Sequence, residues 1–353
     1  MTHKLTEDYK KNLNIYENCL SKTEGLIREL ISQHGINYHK IEARIKDPIR
    51  LNEKIHRKND KYKSLLEITD LVGIRIITYF EDEVDRIASI IESEFLIDKE
   101  NSIDKRKVEA DRFGYKSLHF VVALNEQRKD LTEYKRFKDI KIEIQIRSIL
   151  QHAWAEIEHD IGYKGEHAIP DAFKRNFYRV AALLETADSE FVKIKDGLKQ
   201  YEATIDDVIK NNPEDVEINA ASLRSFILTN STYLALEKAL SKFIKFMKVI
   251  EHKYMERNTE ALYYVKITTI EQLEQALKVN HDLIIKFAIE WTRGLKTELF
   301  SKGASIVYLC HLLVGQKKDI HFAFDYCKII IPNSSVTQDV AQEIIDTYEK
   351  ITK

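Results

Sequence analysis

The segment from Ile140 to Ile149 constrains the fold most, because its side chains alternate strictly between two chemical types. Isoleucines and polar residues follow one another in the order Ile140, Lys141, Ile142, Glu143, Ile144, Gln145, Ile146 and Arg147. A period of two places the two sets on opposite faces of an extended strand and does not suit an amphipathic helix. The segment therefore predicts a strand with one buried face and one face of charged and hydrogen-bonding groups.

Three further stretches have strand character, so that the predicted strands cover residues 38–46, 71–80, 115–124 and 140–149. The first alternates and shows Arg44 and Lys46 on its polar side, whereas the second is β-branched on both faces and reads as a buried central strand. The chain up to about His34, residues 83–95 and residues 151–161 have helical spacing. Asp47 followed by Pro48 predicts the start of another helix. Strands mixed with helices predict an α+β domain over residues 1–185.

The remaining residues, 186–353, predict an all-helical domain. The whole chain has only 10 glycines and 4 prolines in 353 residues, which leaves few turn formers. Apolar residues recur at helical spacing from 222 to 250 and from 267 to 287, and Asn211-Asn212-Pro213 is the best candidate for a break. We expect this half to be a folded regulatory or oligomerising element without catalytic motifs.

The overall charge excludes a global attraction to nucleic acid or membranes. The formal net charge is -2 with a pI near 6.7, so anion binding has to come from local clusters. The three cysteines are far apart and lack metal-ligand spacing, and no stretch approaches 18 apolar residues. We expect a cytoplasmic protein that binds neither a membrane nor DNA.

Two carboxylates in the α+β domain suggest metal-assisted chemistry. Asp70 stands at the entry of one predicted strand and Glu143 on the polar face of another, among the cations Arg44, Lys46, Lys54, Arg75, Lys116 and Arg147. Paired carboxylates hold Mg²⁺, and cations neutralise a polyphosphate, which suits phosphoryl or pyrophosphoryl transfer. The alternative to a metal site is a solvated sheet face with surface ion pairs. It stays open because the sequence does not establish which strands are neighbours.

A second group of possible metal ligands lies on one predicted helix. His152, Glu156 and His159 share one face at i, i+4 and i+7, a spacing that could bind zinc. The order differs from that of the metalloprotease motif. A structural helix face is the alternative, and we favour it.

Six motifs in order resemble the synthetase domain of the RelA/SpoT family, which makes guanosine tetra- and pentaphosphate alarmones. The resemblance covers about residues 35–165 and rests on Arg44 with Lys46, Lys54, Asp70 to Arg75, Gly114 to His119, Glu143 to Arg147, and His152 to His159. It implies a mixed sheet flanked by helices, related to nucleotidyltransferases. It also implies transfer of the β,γ-pyrophosphate of ATP to the ribose 3′-hydroxyl of GDP or GTP.

The resemblance implies a role for each matching residue. Arg44 and Arg75 would sandwich adenine, while Lys46 and Lys54 would hold the ATP phosphates. Asp70 and Glu143 would hold Mg²⁺, and Glu143 would also take the proton from the attacking 3′-hydroxyl. The acceptor nucleotide would stack on Tyr115, with its phosphates and ribose bound by Lys116, His119, Gln145 and Arg147.

Two other functions stay open. Phe113 stands where the long enzymes often have an asparagine that helps to read guanine, and Lys105-Arg106-Lys107 forms a basic loop nearby. These features suit a toxin-like relative that modifies the 3′ end of tRNA or an adenosine nucleotide. A catalytically silent module that binds nucleotides or a partner is the third hypothesis. Beyond ATP and GDP or GTP, the candidate partners are a second copy of the chain, tRNA and a protein regulator.

Overall fold

The chain folds into two compact units, residues 1–196 and 197–353. The computed structural model describes residues 2–58, 61–104, 117–162, 171–244, 252–293, 302–332 and 335–353. Within these ranges no helix has both the length and the apolar character needed to cross a membrane.

A single mixed sheet forms the centre of the first unit. Its strands are β1 (Lys40–Ile45), β2 (Val72–Thr78), β3 (Phe95–Ile97), β4 (Ile103–Asp104), β5 (Leu118–Leu124) and β6 (Ile142–Ser148). The spatial order is β1-β2-β6-β5-β3, with β4 also paired to β5. Only β2 and β6 run parallel, and the other pairs of described strands are antiparallel. The strand that alternates most strictly in the sequence, β6, therefore lies between β2 and β5.

Helices flank this sheet. They are α1 (Lys4–Lys11), α2 (Leu13–Gln33), α3 (Pro48–Arg57), α4 (Glu81–Glu94), α5 (Glu126–Lys129), α6 (Ile149–Gly162) and α7 (Asp171–Asn211), of which α7 continues into the second unit. The predicted start of α3 is confirmed, because Asp47 Oδ1 accepts hydrogen bonds from the amides of Ile49 and Arg50. Asp47 thereby fixes the direction in which α3 leaves the end of β1.

The predicted fold class, a mixed sheet flanked by helices followed by a helical region, is confirmed. On β6 the isoleucines at 142, 144 and 146 are buried in the core of the first unit, as the alternation predicts. Other predictions need correction. The single N-terminal helix is interrupted at Asn12, and β3 and β4 were not predicted because three and two residues are too few to show a period. Residues 115 and 116 of the third predicted strand lie outside the described residues.

The second unit is helical. Besides the end of α7 it contains α8 (Ala220–Thr229), α9 (Ser231–Leu240), α10 (His252–Tyr264), α11 (Ile270–Val279), α12 (His281–Trp291), α13 (Ala304–Gln316), α14 (Ile320–Ile330) and α15 (Thr337–Thr352). Its own core includes Phe226, Tyr233 and Phe287, all fully buried. The predicted break is confirmed: α7 ends at Asn211, and Pro213 begins a short 3-10 turn. The predicted domain boundary near residue 185 falls inside α7.

Candidate active site

The polar face of the sheet carries two adjacent rows of side chains that cross the strands. Strand register places Glu42, Arg75, Gln145 and His119 side by side in one row, on β1, β2, β6 and β5. The next row holds Arg44, Gly73, Glu143 and Val121 on the same strands. Since side chains two residues apart share a face, both rows point to the same side of the sheet. The register thus joins residues that are up to about a hundred positions apart in the sequence.

A pocket opens where these two rows meet. It comprises about 310 Å³ of space that is continuous with solvent, and it is lined by Glu42, Arg44, Gly73, Ile74, Arg75, Glu143 and Gln145. Gly73 lies between Arg44 and Glu143 and contributes no side chain. A Cβ at this position would lie 3.8 Å from the nearest atom, the carbonyl oxygen of Arg44, so there is room for one above the glycine. The missing side chain gives the pocket part of its depth.

Asp70 lies at the entry to β2 between two lysines. Lys46 Nζ is 2.7 Å from Asp70 Oδ2, and Lys54 Nζ is 2.8 Å from Oδ1. Burial acts to raise the pKa of Asp70, but the hydrogen bonds from the two lysines outweigh it and hold the pKa below its ordinary value. The structure therefore brings together three predicted site residues, with the carboxylate ionised and both of its oxygens engaged by ammonium groups.

Glu143 is paired with a histidine from the neighbouring strand. His119 Nδ1 is 3.6 Å from Glu143 Oε1, and both side chains are about three-quarters buried. Burial acts to raise the pKa of Glu143, but the interaction with His119 outweighs it, so that the pKa lies below its ordinary value. The charge of Asp70 acts in the raising direction. The two carboxylates predicted as metal ligands thus influence each other electrostatically.

Arg75 has two carboxylate partners that the sequence did not identify as such. Its Nη1 lies 3.3 Å from Glu42 Oε2 and 3.0 Å from Glu156 Oε1, the latter on α6. Glu156 belongs to the helix face with zinc-ligand spacing, and in the structure it pairs with Arg75. Burial and the positive charge of Arg75 lower the pKa of His152 on the same face. The only signal for Glu42 in the sequence is that it shares a strand face with Arg44.

The predicted acceptor residues lie partly within the described ranges. Gln145 lines the pocket, and its Oε1 accepts a hydrogen bond of 2.7 Å from Arg147 Nη2. Arg147, which the alternation places on the polar face of β6, is only 5% exposed. At the end of β6, Ser148 Oγ donates a hydrogen bond of 2.6 Å to buried Asp188 on α7. Tyr115, Lys116, Phe113 and the basic loop 105–107 lie outside the described residues.

The carboxylate arrangement fits Mg²⁺ bound together with a nucleotide. Magnesium commonly takes one or two protein carboxylates and completes its shell with substrate phosphates and water. Asp70 and Glu143 both carry carboxylates whose pKa lies below its ordinary value, and the charge of Asp70 acts on Glu143. In the described ranges no group of three or more His, Cys, Asp or Glu side chains could hold a metal.

The part of the chain that forms this site is similar to known proteins. Residues 43–168 match the family described as "Region found in RelA / SpoT proteins". GTP pyrophosphokinase YjbM of Bacillus subtilis is 26% identical over 166 residues, covering 46% of this chain and 74% of that protein. GTP pyrophosphokinase YwaC of the same organism is 27% identical over 201 residues, covering 54% of this chain and 91% of that protein.

Solved structures were also compared with the chain. The small alarmone synthetase 1 from Bacillus subtilis is 22% identical and superposes with a TM-score of 0.46, covering 55% of this chain and 99% of that one. A GTP pyrophosphokinase family protein from Streptococcus pneumoniae is 25% identical with a TM-score of 0.44, covering 57% and 97%.

Proposed function

We propose that this protein is a pyrophosphokinase that transfers the β,γ-pyrophosphate of ATP to the ribose 3′-hydroxyl of GDP or GTP, because residues 43–168 match the region found in RelA/SpoT proteins. The two Bacillus subtilis relatives are named GTP pyrophosphokinases, which supports this reaction class. The observation that carries the proposal is the sheet register, since it places Arg44, Arg75 and Glu143 around one pocket.

The donor nucleotide occupies the β1 and β2 side of this pocket. Arg44 and Arg75 hold the adenine between their guanidinium groups, which stack well on aromatic rings. Lys46 and Lys54 exchange their contacts with Asp70 for contacts with the ATP phosphates. The pairing of both lysines with one carboxylate supports this role, because it keeps two cations together at Asp70 before the substrate arrives.

The acceptor hydroxyl is activated at Glu143. In the reaction the acceptor 3′-oxygen forms a bond to the β-phosphorus of ATP, the bond from that phosphorus to the α,β-bridging oxygen breaks, and AMP leaves. Glu143 takes the hydroxyl proton, for which its ionised state is required. His119 and Gln145 lie beside Glu143 on the acceptor side. With Mg²⁺ bound, Asp70 and Glu143 would be its protein ligands, and the ion would neutralise charge on the transferred group.

The alternative function, that of a toxin-like relative, differs from the proposed one in the acceptor, which would be tRNA or an adenosine nucleotide. The purified full-length protein is incubated with γ-labelled ATP and Mg²⁺ and, in separate reactions, with GDP, GTP, AMP or deacylated tRNA. We expect label to appear on GDP or GTP. Label on AMP or tRNA alone would assign the alternative acceptor, and label on none of the four would support a silent binding module.

A further inference from the structure

We propose that Glu42 is a positioning residue for the donor nucleotide, which acts by fixing the guanidinium of Arg75. The inference rests on the proposed function, in which Arg75 stacks on the adenine. Glu42 lies directly opposite Arg75 in the antiparallel pair of β1 and β2, and its Oε2 is 3.3 Å from Arg75 Nη1. Glu42 also lines the pocket. Glu42 therefore contacts Arg75 from the neighbouring strand of the same sheet.

Glu156 reaches the same nitrogen from a different element. Its Oε1 is 3.0 Å from Arg75 Nη1, and it projects from α6, which follows β6 in the chain. Arg75 is therefore held between a strand and a helix rather than by one flexible neighbour. Both carboxylates engage Nη1, an atom at the edge of the guanidinium, whereas a stacked base uses its flat faces. The two ion pairs and the stacking interaction are therefore compatible with each other.

Glu42 is itself held in place. Its Oε1 lies 2.9 Å from Lys40 Nζ, two residues earlier on the same face of β1. The hydrogen bond from Lys40 lowers the pKa of Glu42, and the charge of Arg75 contributes in the same direction. Lys40, Glu42 and Arg75 form a chain of alternating charge that leads to the pocket. A carboxylate with a partner on each oxygen has few alternative orientations.

Fixing Arg75 in advance lowers the entropic cost of binding. A free arginine has many rotamers, and a ligand that stacks on it must select one of them. Partly exposed ion pairs contribute little to folding stability, so the pairs made by Glu42 are not required to hold the sheet together. Loss of Glu42 is therefore expected to weaken donor binding without unfolding the protein or slowing the chemical step.

The test measures binding of the ATP analogue AMPCPP with Mg²⁺ by calorimetry, for Glu42→Gln, Arg75→Ala and the double variant. We expect Glu42→Gln to weaken AMPCPP binding about three- to tenfold, while the effect of Glu42→Gln nearly vanishes in the Arg75→Ala background. With all substrates present, KM for ATP rises and kcat stays within twofold of the wild type, as a rough bound. Glu158→Gln, which removes an exposed charge from α6, is the matched control and binds like the wild type.

Two results would overturn the inference while the proposed function stands. One is AMPCPP binding by Glu42→Gln that equals that of the wild type, and the other is full additivity of Glu42→Gln and Arg75→Ala. Thermal unfolding of each variant checks that the fold is intact. Failure of the wild type itself to bind AMPCPP would overturn the proposed function, and this inference with it.

Discussion

Arg44 on β1 lies directly opposite Gly73 on β2. In an antiparallel pair, residues in such positions normally contact each other through their side chains, and the glycine leaves that contact unmade. On its other side Gly73 is paired with Glu143 of the parallel neighbour β6. The three positions form a row without a side chain at its centre, which is where the pocket opens.

The first prediction is that Gly73→Val blocks the pocket but not folding. A Cβ has room at this position, since its nearest neighbour would be 3.8 Å away, and β-branched residues suit strands better than glycine. The two methyl groups, however, would stand in the pocket between Arg44 and Glu143. We expect KM for ATP to rise at least about tenfold, the equivalent of about 1.4 kcal/mol, with a melting temperature equal to or above that of the wild type.

Gly73→Ala is the graded control, because a single methyl group intrudes less. We expect its KM to lie between those of the wild type and Gly73→Val. A valine variant that is well folded and saturates with ATP like the wild type would show that the nucleotide does not use this pocket.

Much of this site can be predicted from the sequence where a strand has a clear period. The alternation in β6 is enough to identify Glu143 and Gln145 as members of one polar face. The sequence does not contain the register between strands, which depends on contacts across long separations. The position of Gly73 between Arg44 and Glu143 therefore emerges only from the fold.

The partners of Arg75 show the same limit. Glu42 and Glu156 are 33 and 81 residues away from it in the sequence, and neither spacing has a local signature. Burial of Arg147 was missed for a related reason. The alternation of β6 does not distinguish an exposed polar side chain from one that the fold covers, and Arg147 is only 5% exposed. The alternation of side chains describes a single strand, whereas the burial of a side chain at the end of that strand depends on which other elements pack against it.

The second prediction concerns metal binding without nucleotide. Lys46 and Lys54 occupy both oxygens of Asp70, so a free divalent cation must compete with two ammonium groups. We expect the wild type to bind Mn²⁺, an EPR-visible substitute for Mg²⁺, only weakly until ATP or AMPCPP is added. Lys54→Met removes one competitor and is expected to increase the affinity for free Mn²⁺ several-fold.

Lys58→Met is the control for this measurement, since Lys58 is an exposed lysine at the end of the same helix. It should bind free Mn²⁺ like the wild type. Tight Mn²⁺ binding by the wild type alone, or equal binding by the wild type and Lys54→Met, would argue against the role of the lysine pair.

The third prediction is a shift in pH dependence when His119 is removed. The pKa of Glu143 is held below its ordinary value by His119 against the opposing effect of burial. If Glu143 must be ionised to take a proton, activity falls only below the usual glutamate range, about pH 4.3. The His119→Phe variant lacks the partner that counteracts the effect of burial on Glu143. We therefore expect the pKa of Glu143 to rise and the acid limb of kcat to move to higher pH.

The profile is measured at saturating concentrations of both nucleotides, because His119 also lies on the acceptor side of the site. His34→Phe, which changes a histidine at the end of α2, should leave the acid limb in place. An unchanged limb in His119→Phe would mean that Glu143 is not the group that titrates.

The most direct test of the account is the rate of label transfer from γ-labelled ATP to GDP or GTP by the purified protein, compared with that of Glu143→Gln. The glutamine keeps the size of the side chain and loses the charge and the basic oxygen. We expect the wild type to transfer label in the presence of Mg²⁺ and the variant to be slower by about a hundredfold or more, with unchanged circular dichroism. Transfer by Glu143→Gln within about tenfold of the wild type, a difference below about 1.4 kcal/mol, would contradict the assignment of Glu143 as base and metal ligand.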